Sequence, residues 1–394
     1  MSEITLRGRD YRTQQPVEIV AHNGNISQIR PVTGGDNLPL IAPGLVDLQV
    51  NGYGGADFNS FPFSVGSVKQ VVQALWQQGV TTFMPTVITN GADEITEMVS
   101  TLAAACREFP SVGASVAGIH LEGPFLSAQD GPRGAHNQAH IQAPDYALFQ
   151  RWQTAADGRI RLITLSPEWP NADDFIRQCV ADNVVVSIGH TAASAEQIAS
   201  AVKAGAQMST HLGNGAHLTL PRHPNYIWEQ LAQDDLWCAM IADGEHLPLS
   251  VLKTFIRAKN GRALLVSDVT SHAGMPPGHY HSHIGGDVVL SPEGRLSMAN
   301  NPALLAGSVQ GLLYGVNTLL KNGIVPLPEA VQMASVRPAS RLNLPVAQGL
   351  IPGAPLDAIL LREDESHALR LLATYKNGAE VWRVNRLTGG SSVM

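Results

Sequence analysis

The chain has 394 residues, 44% of them apolar and 15% charged, which is enough for one large domain with a substantial core plus a smaller one, so disorder is not the expectation. Its formal charge of -7 is spread without long runs; phosphate backbones demand a concentrated basic face, so a small-molecule substrate is expected and a nucleic-acid partner is not. Cys106, Cys179 and Cys238 are far apart and set among apolar residues, the pattern of reduced core thiols rather than a disulfide framework. The N-terminal stretch "MSEITLRGRD" has no apolar leader region, and no apolar run reaches the roughly 18 residues of a membrane span, so a soluble, cytoplasmic protein is expected.

Residues 1 to about 40 alternate polar and apolar side chains around an Asn23-Gly24 turn, which predicts short antiparallel strands. From residue 42 the pattern changes. Short β-branched runs are followed by longer amphipathic stretches: "VTTFMPTV" then "ADEITEMVSTLAAACREF", "RLITLSPE" then "ADDFIRQCVAD", "VVVSIGHT" then "SAEQIASAVKAG". With "VAGIHLEG", "MSTHLG", "WCAMIADG" and "ALLVSDVT", this alternation supplies about eight strands between residues 42 and 270, the count of a (β/α)8 barrel. A last helical stretch is predicted near 303–342. The tail returns to strands with an Asn377-Gly378 turn and is expected to join the N-terminal strands. The expected architecture is thus a barrel at 42–343 and a small β-sandwich subdomain made of 1–41 and 344–394.

Chemistry in such a barrel sits at the C-terminal ends of its strands. Polar residues end the apolar runs there repeatedly: Glu122 in "AGIHLEGPFL", His190 in "VVVSIGHT", His211 in "QMSTHLGN", Asp243 and His246 in "AMIADGEH", Asp268 in "LLVSDVT". Singly each has a bland reading, a turn cap or a hydrogen-bonded structural histidine. Together, five strands delivering carboxylate or imidazole to one rim suit a divalent metal. Glu122, His190 and His211 supply three ligands and leave a position open, as a catalytic site requires. Asp268 would stand beside the activated water and move its proton, which is hydrolase chemistry.

The segments "PGLVDLQVNG", "HLEGPFL", "GAHNQAHI", "LSPE", "VSIGHT", "STHLGN", "ADGEHLP", "LLVSD" and "LLAGS" resemble, in order and over nearly the whole chain, the N-acetylglucosamine-6-phosphate deacetylases of the amidohydrolase superfamily. Many amidohydrolases carry His-x-His at the end of the first barrel strand to hold a second metal. Here the positions are Gln49 and Asn51, as in one branch of the deacetylases, which implies one divalent metal per subunit, since amides lack the charge and basicity of imidazole. Zinc suits the ligands best; iron, manganese and cobalt accept the same set. The resemblance further implies Asp268 as general base and then acid, and His136 as the group on the scissile carbonyl. It implies His246 on the sugar, Asn214 and the backbone of Gly215 on a phosphate, and Arg222 lent to that phosphate by the partner of a homodimer.

The least typical part of the match is "HLGNGAHLTLPRHPNYIW". Family members show an aromatic or hydrophobic residue at Gly213, an Asn-Ala-Met run at Asn214-Gly215-Ala216 and a different loop at "PRHPN". His217, His223 and Trp228 bring new bulk there, so an unphosphorylated sugar, a galacto isomer or another N-acyl amine stays open as substrate. Arg222 is open between a phosphate clamp and a surface salt bridge. An inert barrel kept as a binding module is a third reading, against which stand all four of Glu122, His190, His211 and Asp268. His279, His281 and His283 alternate as metal ligands on a strand could, but a solvated strand face is the expectation.

Overall fold

The structure, a computed structural model, describes residues 3–34, 37–282 and 286–384. Eight parallel strands form its centre: β1 (Leu45–Val50), β2 (Val80–Ile88), β3 (Ile119–Glu122), β4 (Ile160–Leu165), β5 (Val185–Ile188), β6 (Met208–Ser209), β7 (Trp237–Met240) and β8 (Ala263–Leu265). Each hydrogen-bonds to the next in chain order. The ring is completed by the segment after β8, where Val50 bridges Val269 in parallel and Val269 bridges Ser308. The helices that follow the strands are α1 (Val65–Trp76), α2 (Ala92–Glu108), α3 (Tyr146–Ala155), α4 (Ala172–Ala181), α5 (Ala195–Ala204), α6 (Tyr226–Ala232), α7 (Leu249–Lys259) and α8 (Leu312–Lys321).

Local chemistry explains these elements. Helix α2 buries Ile95, Met98, Val99, Leu102 and Cys106, a stripe at helical spacing, with Asp93 and Glu94 in its first turn and Arg107 in its last, as the helix dipole favours. Helix α5 opens on a capping box between Ser194 and Gln197 and closes at Gly205, whose φ of 119° suits glycine. The predicted helical stretch at 303–342 starts later than expected. Residues Asn301–Leu305 are instead the last strand of a four-stranded antiparallel sheet with Gly278–Ser282, Gly286–Leu290 and Leu296–Met298, inserted between β8 and α8. Helix α8 is followed by helices Leu327–Met333 and Val336–Arg341.

The N- and C-terminal strands share one mixed sheet. Strands within residues 3–43 and 358–383 make its seven members, and Leu40–Pro43 of the first group pairs antiparallel with Ala358–Leu361 of the second. Both Asn-Gly turns link paired strands, Pro16–His22 with Asn25–Pro31 and Leu369–Lys376 with Ala379–Arg383.

Inside the barrel, polarity rises toward the C-terminal rim. The lower interior is apolar, with Leu48, Met84, Leu162, Val185, Met208, Ala239 and Leu264 in one cluster that Ala339 and Leu342 close from below. Above them lies a hydrogen-bonded belt: His120 Nε2 to Thr164 Oγ1 at 2.8 Å, Thr164 to Thr210 at 2.7 Å, and Thr210 to Ser187 at 2.6 Å. On β3, Ile119 and Leu121 join the outer core against the helices. His120 and Glu122 therefore take the inward face, because side chains alternate along a strand.

Candidate metal and catalytic site

Glu122, His190 and His211 meet at the rim. Glu122 Oε1 lies 3.1 Å from His190 Nε2 and 3.0 Å from His211 Nε2, and the two nitrogens are 3.2 Å apart. Three ligand atoms on a tetrahedral ion with bonds of about 2.0–2.1 Å would stand ~3.3 Å apart, so this nearly equilateral triangle fits one divalent cation. All three residues are buried. The Nδ1 of His190 donates to the carbonyl of Pro132 at 2.8 Å, which leaves Nε2 as the lone-pair nitrogen facing the site, the tautomer a ligand needs. The Nδ1 of His211 is buried with no hydrogen-bond partner among the described residues.

Charge follows the same geometry. Burial opposes ionisation of Glu122, yet the two histidines beside it, His190 and His211, outweigh that and hold it well below the ordinary carboxylate range. Burial likewise opposes the charged form of His211, but Glu122 and then Asp268 push the ring up to about 9. The pocket thus keeps one anionic oxygen and attracts positive charge to it, whether a proton or a cation.

His136 is a further ligand type beside them: Glu122, His136 and His190 offer ligand atoms that all lie within 4.8 Å of one another. Its Nε2 is 3.3 Å from His190 Nε2, and its Nδ1 is 2.9 Å from Thr89 Oγ1. Where the Thr89 hydroxyl donates to Nδ1, the proton of the neutral ring sits on Nε2 and makes it a donor toward the pocket; where that hydroxyl donates to the Glu122 carbonyl 3.5 Å away, Nε2 keeps its lone pair and is a ligand type. Burial, then the charge of His190, lowers the ring to about 3, so it stays neutral.

The two amides at the end of β1 each hold a carboxylate. Gln49 Nε2 donates to Glu122 Oε2 at 3.0 Å, and Asn51 Nδ2 donates to Asp268 Oδ1 at 2.8 Å. Gln49 therefore leaves Oε1 as the oxygen turned to the histidines. Burial, then the charge of Glu122, raises Asp268 to about 6, with His211, His246 and the Asn51 hydrogen bond pulling the other way. A nearby cation would lower it again. His190, His211 and Asp268 all have left-handed backbones, with φ of 49°, 26° and 52°. This conformation is uncommon for non-glycine residues, and for a histidine it is a strained one.

The other expected site residues fall on the same rim with different degrees of definition. Asp243 Oδ2 holds His246 Nδ1 at 2.6 Å and its Oδ1 accepts the backbone N–H of His246 at 2.9 Å, so that ring is fixed by its own turn. Asn214 folds back, its N–H on the His211 carbonyl at 3.0 Å. Gly215 presses on His190: at its φ of 59°, a Cβ would lie 2.5 Å from His190 Nδ1. Gly215→Ala is therefore expected to push that ring off Pro132 and weaken metal retention by about tenfold or more, which metal content per subunit after dialysis against chelator will show. Arg222 is exposed, and no hydrogen bond or ion pair of it is found among the described residues. His217 packs on Tyr226, whose hydroxyl lies 3.0 Å from its Nδ1 and accepts its N–H at 2.8 Å.

Residues that carried no expectation also shape the site. Thr89 holds Nδ1 of His136, the Pro132 carbonyl sets the tautomer of His190, and Glu168 of "LSPE" binds three donors around the ligand loops. Hydroxyl and carbonyl partners of this kind leave no mark in a single sequence. His279 and His281 are exposed on the inserted sheet, where His281 Nδ1 meets Asp287 Oδ1 at 2.9 Å. That is the solvated strand face expected, and His283 lies outside the described residues.

Comparison with known proteins gives the family. The model of the amidohydrolase family matches residues 40–382. The N-acetylglucosamine-6-phosphate deacetylase of Bos taurus is 32% identical, covering 88% of this chain and 84% of the relative. The N-acetylgalactosamine-6-phosphate deacetylase of Shewanella is 31% identical over the same shares, 88% and 84%. Among solved structures, a mutant N-acetyl-D-glucosamine-6-phosphate deacetylase from Mycobacterium smegmatis, in complex with N-acetyl-D-glucosamine-6-phosphate, superposes with a TM-score of 0.85 at 26% identity, covering 97% of this chain and 100% of that one. The chain belongs to the amidohydrolase family, and within it to the N-acetylglucosamine-6-phosphate deacetylases.

Proposed function

We propose that this protein hydrolyses the N-acetyl amide of N-acetylglucosamine 6-phosphate to glucosamine 6-phosphate and acetate. The observation that carries the reading is the convergence of Glu122, His190 and His211 on one point, with a donor histidine and a held aspartate on the same rim. We assign those three as ligands of one divalent cation, zinc by their chemistry, and Gln49 and Asn51 as the reason there is no second. A divalent cation bound there supplies a nucleophile at neutral pH and polarises an amide carbonyl.

The chain's own residues do the rest. The Nε2–H of His136 donates to the carbonyl oxygen and strengthens its hold as negative charge grows there. Asp268, with Oδ1 occupied by Asn51, has Oδ2 to take a proton from the attacking water and pass it to the departing nitrogen. His246, braced by Asp243, orients the sugar through a hydroxyl. Asn214, the backbone at Gly215 and Arg222 bind the phosphate. Exposure of Arg222 without a partner among the described residues suits a residue that works across a homodimer. Three free, buried cysteines suit a reducing compartment such as the cytoplasm, and no helix among the described residues is long and apolar enough to cross a membrane. The strands at 1–41 and 344–394 form, in the same proposal, a subdomain apart from the barrel at 42–343.

A specific observation favours a second substrate. The Shewanella relative named for the galacto sugar is 31% identical, nearly the same as the bovine one at 32%. The deciding experiment follows acetate release by zinc-loaded protein from N-acetylglucosamine 6-phosphate, its galacto epimer and unphosphorylated N-acetylglucosamine at matched concentrations. Selective turnover of the phosphorylated gluco sugar is expected. Faster turnover of the epimer would reassign the sugar, and equal rates with and without phosphate would remove the clamp at Asn214, Gly215 and Arg222.

A further inference from the structure

Strand β4 delivers no metal ligand, yet the turn after it sends one carboxylate between the loops that carry two of them. Glu168 is half-buried and accepts three hydrogen bonds: Ser127 Oγ to Oε1 at 2.9 Å, Ser166 Oγ to Oε2 at 2.8 Å, and the backbone N–H of Ala192 to Oε2 at 2.9 Å. Ser127 lies five residues beyond Glu122, and Ala192 two beyond His190. From these contacts we infer that Glu168 is a positioning residue that fixes the Glu122 loop against the His190 loop and so sets how tightly the metal is held.

The direction of every hydrogen bond in this cluster follows from the carboxylate, which when ionised only accepts. Ser127 and Ser166 must both donate to it. Ser166 Oγ, having spent its proton, then accepts from Thr191 Oγ1 at 2.8 Å, and Thr191 Oγ1 in turn accepts the N–H of Ala193 at 3.0 Å. Residues 191–193, which follow a ligand whose backbone has a φ of 49°, are thereby tied to β4 by side chain and main chain together. On the other side, Trp169 Nε1 donates to the carbonyl of Leu126 at 3.1 Å, next to Ser127. The two loops also touch directly, Ser127 N–H to the His190 carbonyl at 2.9 Å, and Glu168 braces that joint from outside. Ser127, Ser166 and Thr191 are all buried, so water does not readily replace the carboxylate for them.

This rests on Glu122 and His190 being ligands, and the test separates the two claims. Zinc-loaded protein is mixed with excess chromogenic chelator and the rate of zinc release is followed by absorbance, beside the thermal transition of each variant. Glu168→Ala is expected to release zinc about tenfold faster or more, in the range seen when groups supporting metal ligands are removed. Glu168→Gln keeps an oxygen for Ser166 and Ala192, and the Ser127 hydroxyl can turn to accept from the amide, so release within about threefold of the parent protein is expected. If Glu168→Ala does not fold, Ser127→Ala and Thr191→Val, which each remove one link, are expected to release zinc several-fold faster. A folded Glu168→Ala protein, or both single-link variants, releasing zinc at the parent rate would overturn the inference. A Glu122→Ala protein that retains its zinc would instead overturn the ligand assignment beneath it.

Discussion

Asp268→Asn is expected to lower kcat by several orders of magnitude while zinc content stays at one per subunit. The side chain has the right shape and loses only the ability to take a proton, and general-base transfer contributes on the order of 10²–10⁴ to a rate. Because the same group is assigned the return of that proton to the nitrogen, both half-steps fail together. The neighbour also responds. Asn51 now donates to the carboxylate at 2.8 Å, a bond that an asparagine at 268 can accept with its carbonyl oxygen, so the fold should be undisturbed. Acetate release measured beside metal analysis checks this, and a rate within tenfold of the parent would remove Asp268 from its role.

Removing a ligand should abolish activity by another route. Glu122→Ala takes away the one anion to which both histidine nitrogens point, at 3.1 and 3.0 Å, and His190→Ala takes away the ring that Pro132 aligns. Both variants are expected to come through dialysis with well under a tenth of the parent metal content and no measurable turnover. Excess zinc should restore little, because two remaining ligands do not close a site of this kind. Full metal content in either variant would show that His136, which stands within reach of the same atoms, belongs to the ligand set in its place.

These residues were legible in the sequence because each ends a short apolar run. Glu122 after "AGIHL", His190 after "VVVSIG" and Asp268 after "LLVS" announce themselves by polarity where a strand should stay apolar. Gln49 and Asn51 were legible as an absence of imidazole, but their partners were not. Glu122 and Asp268 lie 73 and 217 residues away from them, and nothing in local spacing encodes so distant a contact. Helix α2 showed its period over 17 residues and was placed within a residue of its end. The stretch at 303–311 was misread as helix because "PALLAGSVQGLL" is an apolar run whose pairing partner, Leu296–Met298, is set by the inserted sheet rather than by its own pattern. Strand β6 is two residues long, so its expected place depended on His211 more than on any strand signal.

The left-handed backbones at His190, His211 and Asp268 carry a consequence for how such a barrel could decay. Each holds a side chain inward at a conformational cost of about 1–3 kcal/mol, a large share of the ~5–15 kcal/mol by which domains of this kind are stable. Glycine at any of the three would relax the turn and delete the chemistry in one step. A barrel released from catalysis would therefore drift toward greater stability through these very positions. This chain carries a non-glycine residue at all three, so aiming these side chains lowers the stability its fold could otherwise reach.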